Sequence, residues 1–269
     1  MKILSSSNHV ENAIQARFDS GDTQQYRLFQ PLLELAESSP SLIVGYGSYQ
    51  SMVRDRLIPY FHLIGQNGAA RHVRALIIGG WVGTDTVPVL TASRFVAAIE
   101  SRLRLIEGIE LTVFPIANPE AYQSGQFLTE KQTLEGVRLW QGSNCSHIQV
   151  FERELKRQQY DLVIVLREHA LATDLEIEAW TADDPSATII ADTCTRFKNA
   201  GPCFSWRINP LDPLYERSFT PVLHSHNQPS EIVCGLPAVL SIRERVSAGL
   251  GFLLGILHSF RQARAEGVL

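Results

Sequence analysis

Three short, largely apolar runs constrain this chain most: Ala75-Leu-Ile-Ile78, Leu111-Thr-Val-Phe-Pro-Ile116 and Leu162-Val-Ile-Val-Leu166. Strands that alternate apolar and polar residues cover one face of a sheet, whereas continuous runs like these suit strands buried on both faces. Between them lie longer amphipathic stretches. Gln24–Ala36, Val87–Leu105, Ser146–Gln159, Ser186–Asn199 and Ser241–Arg264 carry apolar residues at helical spacing. Strands alternating with helices predict an α/β fold with a mixed, mostly parallel central sheet and helices on both faces. The remaining strands are expected at Ile58–Gly65, Val73–Gly80, Ile109–Ile116 and Glu231–Cys234, the first two joined by a turn at Gln66-Asn67-Gly68. Gly45–Ser51 reads as a turn, and Gly201–Ser230, with Pro202, Pro210, Pro213, Pro221 and Pro229, as loop. No linker or repeat divides the chain. The expectation is one domain over residues 1–269, with residues 1–57 as a helical and loop extension packed on it.

Composition narrows the function classes. With 269 residues, 45% hydrophobic and 19% charged, one core can bury about three-quarters of the surface exposed by the unfolded chain, so folding requires neither metal nor disulfide. The formal net charge is -4 and basic residues are scattered, which argues against nucleic acid and anionic membrane as partners. Val246–Leu257 is apolar but only about half the length that spans a bilayer. Met1–Ala13 lacks the apolar core of a signal peptide. Cys145, Cys194, Cys203 and Cys234 show no paired metal or redox spacing. A cytoplasmic protein with reduced thiols is expected.

Ligands of open α/β sheets bind beyond the carboxyl ends of the strands, which directs attention to Gly80, Ile116, Leu166 and Cys234. Sequences at these ends carry a resemblance. Gly79-Gly-Trp-Val-Gly-Thr-Asp85 resembles the G-G-x-H-G-x-E segment of M14 zinc metallocarboxypeptidases and of succinylglutamate desuccinylase/aspartoacylase-like amidohydrolases. Pro115-Ile-Ala-Asn-Pro-Glu-Ala121 resembles their P-x-x-N-P-x-G, and Trp140–Leu155 the stretch after L-N-R. Tyr160–Glu168 is similar to the strand ending D-L-H-E, and Pro237–Val246 to the closing segment. The likeness extends from about Ile58 to the C-terminus. It implies a zinc-carboxypeptidase-like fold.

The same resemblance implies a His₂Glu zinc site holding an activated water. This sequence places Val82, Asp85 and Arg167 at the three ligand positions. Valine has no donor atom, and arginine, always protonated, has no lone pair and repels a cation. The general-base glutamate falls at Gly235, or at Glu231 if the register slips. The asparagine–arginine pair that grips the substrate carboxylate falls near Gly136 and Val137, with Arg138 one step away. Ligands, base and anion clamp are lost together, so the resemblance implies a catalytically degenerate relative without zinc or any other cofactor. In the vacated cleft Asp85, Asn118, Arg138, Arg167 and Glu168 are candidates to bind a small anionic ligand, an acyl-amino acid or a peptide C-terminus. The alternative reading is an ion pair between Asp85 and Arg167 that merely fills the cleft.

Other features are weighed against bland readings. Asp85, Glu168 and His169 could form a relocated metal site, but neighbouring strand residues point to opposite faces. His224 and His226 share a face in extended chain, with Cys203 as a third partner, yet loop histidines are more often solvated. Ser48 lacks the following glycine of a nucleophile elbow. Gly249, Gly251 and Gly255 do not follow a strand, and close helix packing explains them better than a phosphate loop. Trp81 either caps the cleft or fills it. Three functions stay open: a non-catalytic binding protein, a metal-dependent carboxypeptidase or amidohydrolase with atypical ligands such as His224 and His226, and a structural or assembly subunit.

Overall fold

The computed structural model of the chain describes residues 23–50, 55–65, 72–81, 86–119, 122, 150–151, 153–154, 157–169, 172–181, 183–200, 204–210 and 229–269. Its strands are β1 (Leu42–Gln50), β2 (Asp55–Ile64), β3 (Val73–Ile78), β4 (Ile109–Phe114), β5 (Leu162–His169), β6 (Leu175–Thr181), β7 (Phe204–Pro210) and β8 (Ser230–Pro237). The helices are α1 (Thr23–Ser38), α2 (Thr86–Glu100), α3 (Asp184–Ala200) and α4 (Ile242–Ala265). All strands join one eight-stranded sheet in the order β1-β2-β4-β3-β5-β8-β6-β7. Pairing is parallel through the centre, from β4 through β3 and β5 to β8, and again between β6 and β7. It is antiparallel for β1–β2, β2–β4 and β6–β8.

Side chains that alternate along each strand divide the interior into two cores. Val73, Ala75 and Ile77 of β3, Ile109, Leu111 and Val113 of β4, and Leu162, Ile164 and Leu166 of β5 face α1, α2, α3 and α4. Leu76, Ile78, Phe114, Val163 and Val165 face the other way, against Val150, Phe151, Tyr160 and Trp81. Val150 and Phe151 are helical, so helical residues cover both faces of a mixed sheet. This two-sided burial is why the central strands are so largely apolar.

Helix α4 shows how local chemistry and packing agree. Ser241 caps it and Glu244 returns a bond to the Ser241 backbone, a reciprocal capping box. Its glycines permit close approach. A Cβ on Gly249 would lie 2.8 Å from Thr91 Cγ2 of α2, and one on Gly255 would lie 2.5 Å from the Phe197 ring of α3. Helix packing is therefore the role of these glycines.

Several expectations are corrected. Residues 42–50, read as part of a helical and loop extension with a turn at Gly45–Ser51, form the edge strand β1. Its glycines misled the reading. Gly45 lies beneath the Tyr60 ring and Gly47 beneath Val150, where a Cβ would come within 2.1 Å of either neighbour. An aromatic ring laid over a strand glycine restores packing that the glycine lacks. β2 and β3 are not neighbours, because β4 lies between them; the turn at 66–68 lies outside the described residues. β7 occupies the start of the proline-rich stretch read as loop, and β6 had no counterpart in the sequence reading.

Candidate functional site

The site begins where β5 changes character. Leu162–Leu166 are buried, whereas Arg167, Glu168 and His169 are part-exposed. Alternation sends Arg167 and His169 to one face and Glu168 to the other. Glu168 turns toward the helices: Arg245 Nη1 of α4 donates to it at 2.9 Å, and the Val87 N–H of α2 at 3.4 Å. It bridges two helices, and the pleat sends it to the face opposite His169.

On the opposite face, Arg167 and His169 line an open cavity of 470 Å³ with Glu176, Glu178, Ser205, Arg207 and Gly235. Register pairs Arg167 with Gly235 on β8, and Gly235 in turn with Glu176 on β6. Ser205 follows on β7, opposite Glu176. The floor between Arg167 and Glu176 is thus bare backbone. A Cβ at Gly235 would meet Glu176 Cβ at 3.5 Å and His169 Cβ at 3.6 Å, ordinary contacts. His169 Nδ1 lies 2.6 Å from Glu176 Oε2. Arg207 is ion-paired with Glu178. Among the described residues Arg167 has neither an ion pair nor a hydrogen-bond partner. Among those residues it is the charge on the cavity wall without a counter-ion.

Glu231 does not slip into the base position. It pairs in register with Val163, four residues down β8 and about 13 Å from Gly235, and is 1% exposed. The motif segments at the other strand ends do come together. Ala117 N–H donates to Gly79 O at 2.9 Å, and Asn118 N–H to Gly80 O at 3.0 Å. Gly80 has φ +56°, the left-handed region that glycine enters without steric cost. Asn118 is buried and does not line the cavity. Trp81 fills rather than caps: its ring packs edge-on against Phe151 at 5.7 Å in the second core. Val82, Asp85, Arg138, His224, His226 and Cys203 lie outside the described residues.

Sequence reasoning missed Glu176, Glu178, Ser205 and Arg207. The signal was present as alternation in Leu-Glu-Ile-Glu-Ala-Trp-Thr181, with both glutamates on one face. It was hidden because β6 and β7 run between segments dense in turn formers.

No protein-family profile matches the sequence, and no curated protein matches it. Solved structures do match. A metallo-carboxypeptidase from Burkholderia cenocepacia aligns with TM-score 0.71 at 12% identity, covering 89% of this chain and 69% of that one. A metallo-carboxypeptidase from Pseudomonas aeruginosa aligns with TM-score 0.64 at 12% identity, covering 90% and 68%. An aspartoacylase-family protein from Mesorhizobium loti aligns with TM-score 0.54 at 18% identity, covering 80% and 68%. The chain has a zinc-carboxypeptidase-like α/β fold, and at these identities the likeness is one of fold.

Arg167 faces the cavity with a guanidinium that has no lone pair to give and repels a cation. Among the described residues no three His, Cys, Asp or Glu side chains gather where they could hold a metal ion.

Proposed function

We propose that this chain is a relative of the zinc carboxypeptidases and desuccinylases that has lost hydrolysis by zinc and binds a small anionic ligand in the old cleft. An acyl-amino acid or a peptide C-terminus fits the reading. The observation that carries it is the guanidinium of Arg167, unpaired among the described residues, over the bare floor at Gly235. A guanidinium presents parallel N–H donors to a carboxylate, a charge-assisted pairing stronger than neutral hydrogen bonds. The Pseudomonas aeruginosa neighbour was solved in complex with (2-guanidinoethylmercapto)succinic acid, a dicarboxylate, which supports the ligand class.

Calorimetry with succinate, N-acetyl-amino acids and short peptides tests the reading. The wild type should bind at least one class, and Arg167→Ala should weaken binding by about 10-fold or more. Equal affinity of the two proteins, or no binding by either, would remove Arg167 as a ligand contact and favour a structural or assembly role. One zinc per chain by elemental analysis would instead restore the metal-dependent hydrolase.

A further inference from the structure

We infer that His169 and Glu176 form a metal-independent general-base dyad in this cavity, hydrolysing small carboxylic esters whose own carboxylate is held by Arg167. The inference rests on the proposed anion site and adds chemistry to it.

Three observations converge. First, His169 Nδ1 is 2.6 Å from the Glu176 carboxylate. With Glu176 accepting from Nδ1–H, the neutral ring carries its lone pair on Nε2, and among the described residues Nε2 has no partner. A histidine held at one nitrogen by a carboxylate and open at the other is the arrangement of a positioned general base. Second, Arg167 lies two residues earlier on the same face of β5, about 7 Å along the strand. That span matches a ligand with a carboxylate at one end and an acyl carbon a few bonds away. Third, the pair stands beside bare backbone, because Gly235 pairs in register with Arg167 on one side and Glu176 on the other and its Cβ position lies 3.5 Å from Glu176 Cβ and 3.6 Å from His169 Cβ. The dyad occupies space opened where the family resemblance placed a glutamate.

The step balances without a metal. Water donates a proton to His169 Nε2 as its oxygen bonds to the ester carbonyl carbon. The tetrahedral adduct collapses, the acyl C–O bond breaks, and the Nε2 proton passes to the departing alkoxide. Acid and alcohol are the products. His169 touches the reacting water and is the catalytic residue. Glu176 acts through the ring and is a positioning residue. Their side chains are 38% and 45% exposed, so water reaches them and substitution there leaves the cores intact.

The experiment uses the full chain in excess chelator, with 4-nitrophenyl hemisuccinate as substrate and neutral 4-nitrophenyl butyrate as control. Release of 4-nitrophenolate gives kcat and KM, while succinate binding and the melting temperature are measured in parallel. Hydrolysis of the hemisuccinate should persist in chelator and exceed that of the butyrate. His169→Gln should lower kcat by about 100-fold and Glu176→Gln by about 10-fold or more. Both should leave KM, succinate binding and melting temperature unchanged. Arg167→Ala should raise KM instead. The dyad is overturned by a chelator-sensitive rate or by a His169→Gln variant as fast as wild type, and the hold of Arg167 on the substrate by equal turnover of both esters. Succinate binding without turnover would sink the dyad and leave the anion site standing; absence of both would remove the anion site too.

Discussion

His62 is a titratable group in which the cost of burial outweighs its neighbours. It lies on β2 with Nδ1 3.1 Å from Thr112 Oγ1 and Nε2 3.6 Å from Glu110 Oε1. Burial disfavours its charged form and outweighs the opposing pull of Glu110 and Glu154, so its pKa is lowered from the ordinary histidine value. The unfolded chain then binds a proton more readily than the native one below about pH 6.5. Native stability is full above that value and falls as pH drops through it toward the folded value. His62→Gln should flatten this acid-side decline, read as the difference in melting temperature from wild type between pH 7.5 and 5.5. Identical curves would show that His62 is not the group responsible. Nearby, Glu154 accepts from both Tyr160 and Arg157, so a buried carboxylate on this face is paired rather than reactive. Burial likewise pushes the Cys194 thiol up to about 12, away from nucleophilic use.

At the scale of elements, α4 is the spine that α2 and α3 pack against, and two of its glycines should respond oppositely to alanine. Gly249 is wedged against Thr91, a buried β-branched residue with little freedom to move. Overpacking of this kind costs about 1–3 kcal/mol and outweighs the helix-propensity gain of about 0.5–1 kcal/mol. A Cβ on Gly251 meets only the Phe197 ring at 3.6 Å, an ordinary contact, so the propensity gain should survive there. Thermal unfolding should therefore show Gly249→Ala melting below wild type and Gly251→Ala above it. Matching shifts in the two variants would mean that close packing does not distinguish these positions. Strand β5 shows the same division of labour within one element. Its apolar half is sheet core, and its last three residues alternate between a helix clamp at Glu168 and the cavity at Arg167 and His169.

For the whole molecule, the decisive question is whether a divalent ion or an organic anion stabilises the native state. A ligand specific to the folded chain must stabilise it by mass action, by about 2.7 kcal/mol at a hundredfold excess over Kd, and so raise its melting temperature. Succinate in excess should raise the transition, whereas zinc should leave it in place and a chelator should not lower it. A zinc-dependent rise would restore the metal centre. Much of this architecture was legible in the chain. The central strands announce themselves through the largely apolar runs at 75–78, 111–114 and 162–166, which burial on both faces demands, and the helices because one-sided burial imposes a period near 3.6. That Val82 and Arg167 carry no lone pair for a metal was also readable, since lone pairs belong to side chains and need no coordinates. What no local pattern could reveal was partnership across the sheet. Whether Gly45 and Gly47 make a turn or a strand depends on Tyr60 and Val150, residues distant in sequence that fill the missing volume. The same is true of the cavity: Glu176, Gly235 and His169 are neighbours only because β8 runs between β5 and β6, and register between non-consecutive strands is a property of the folded sheet.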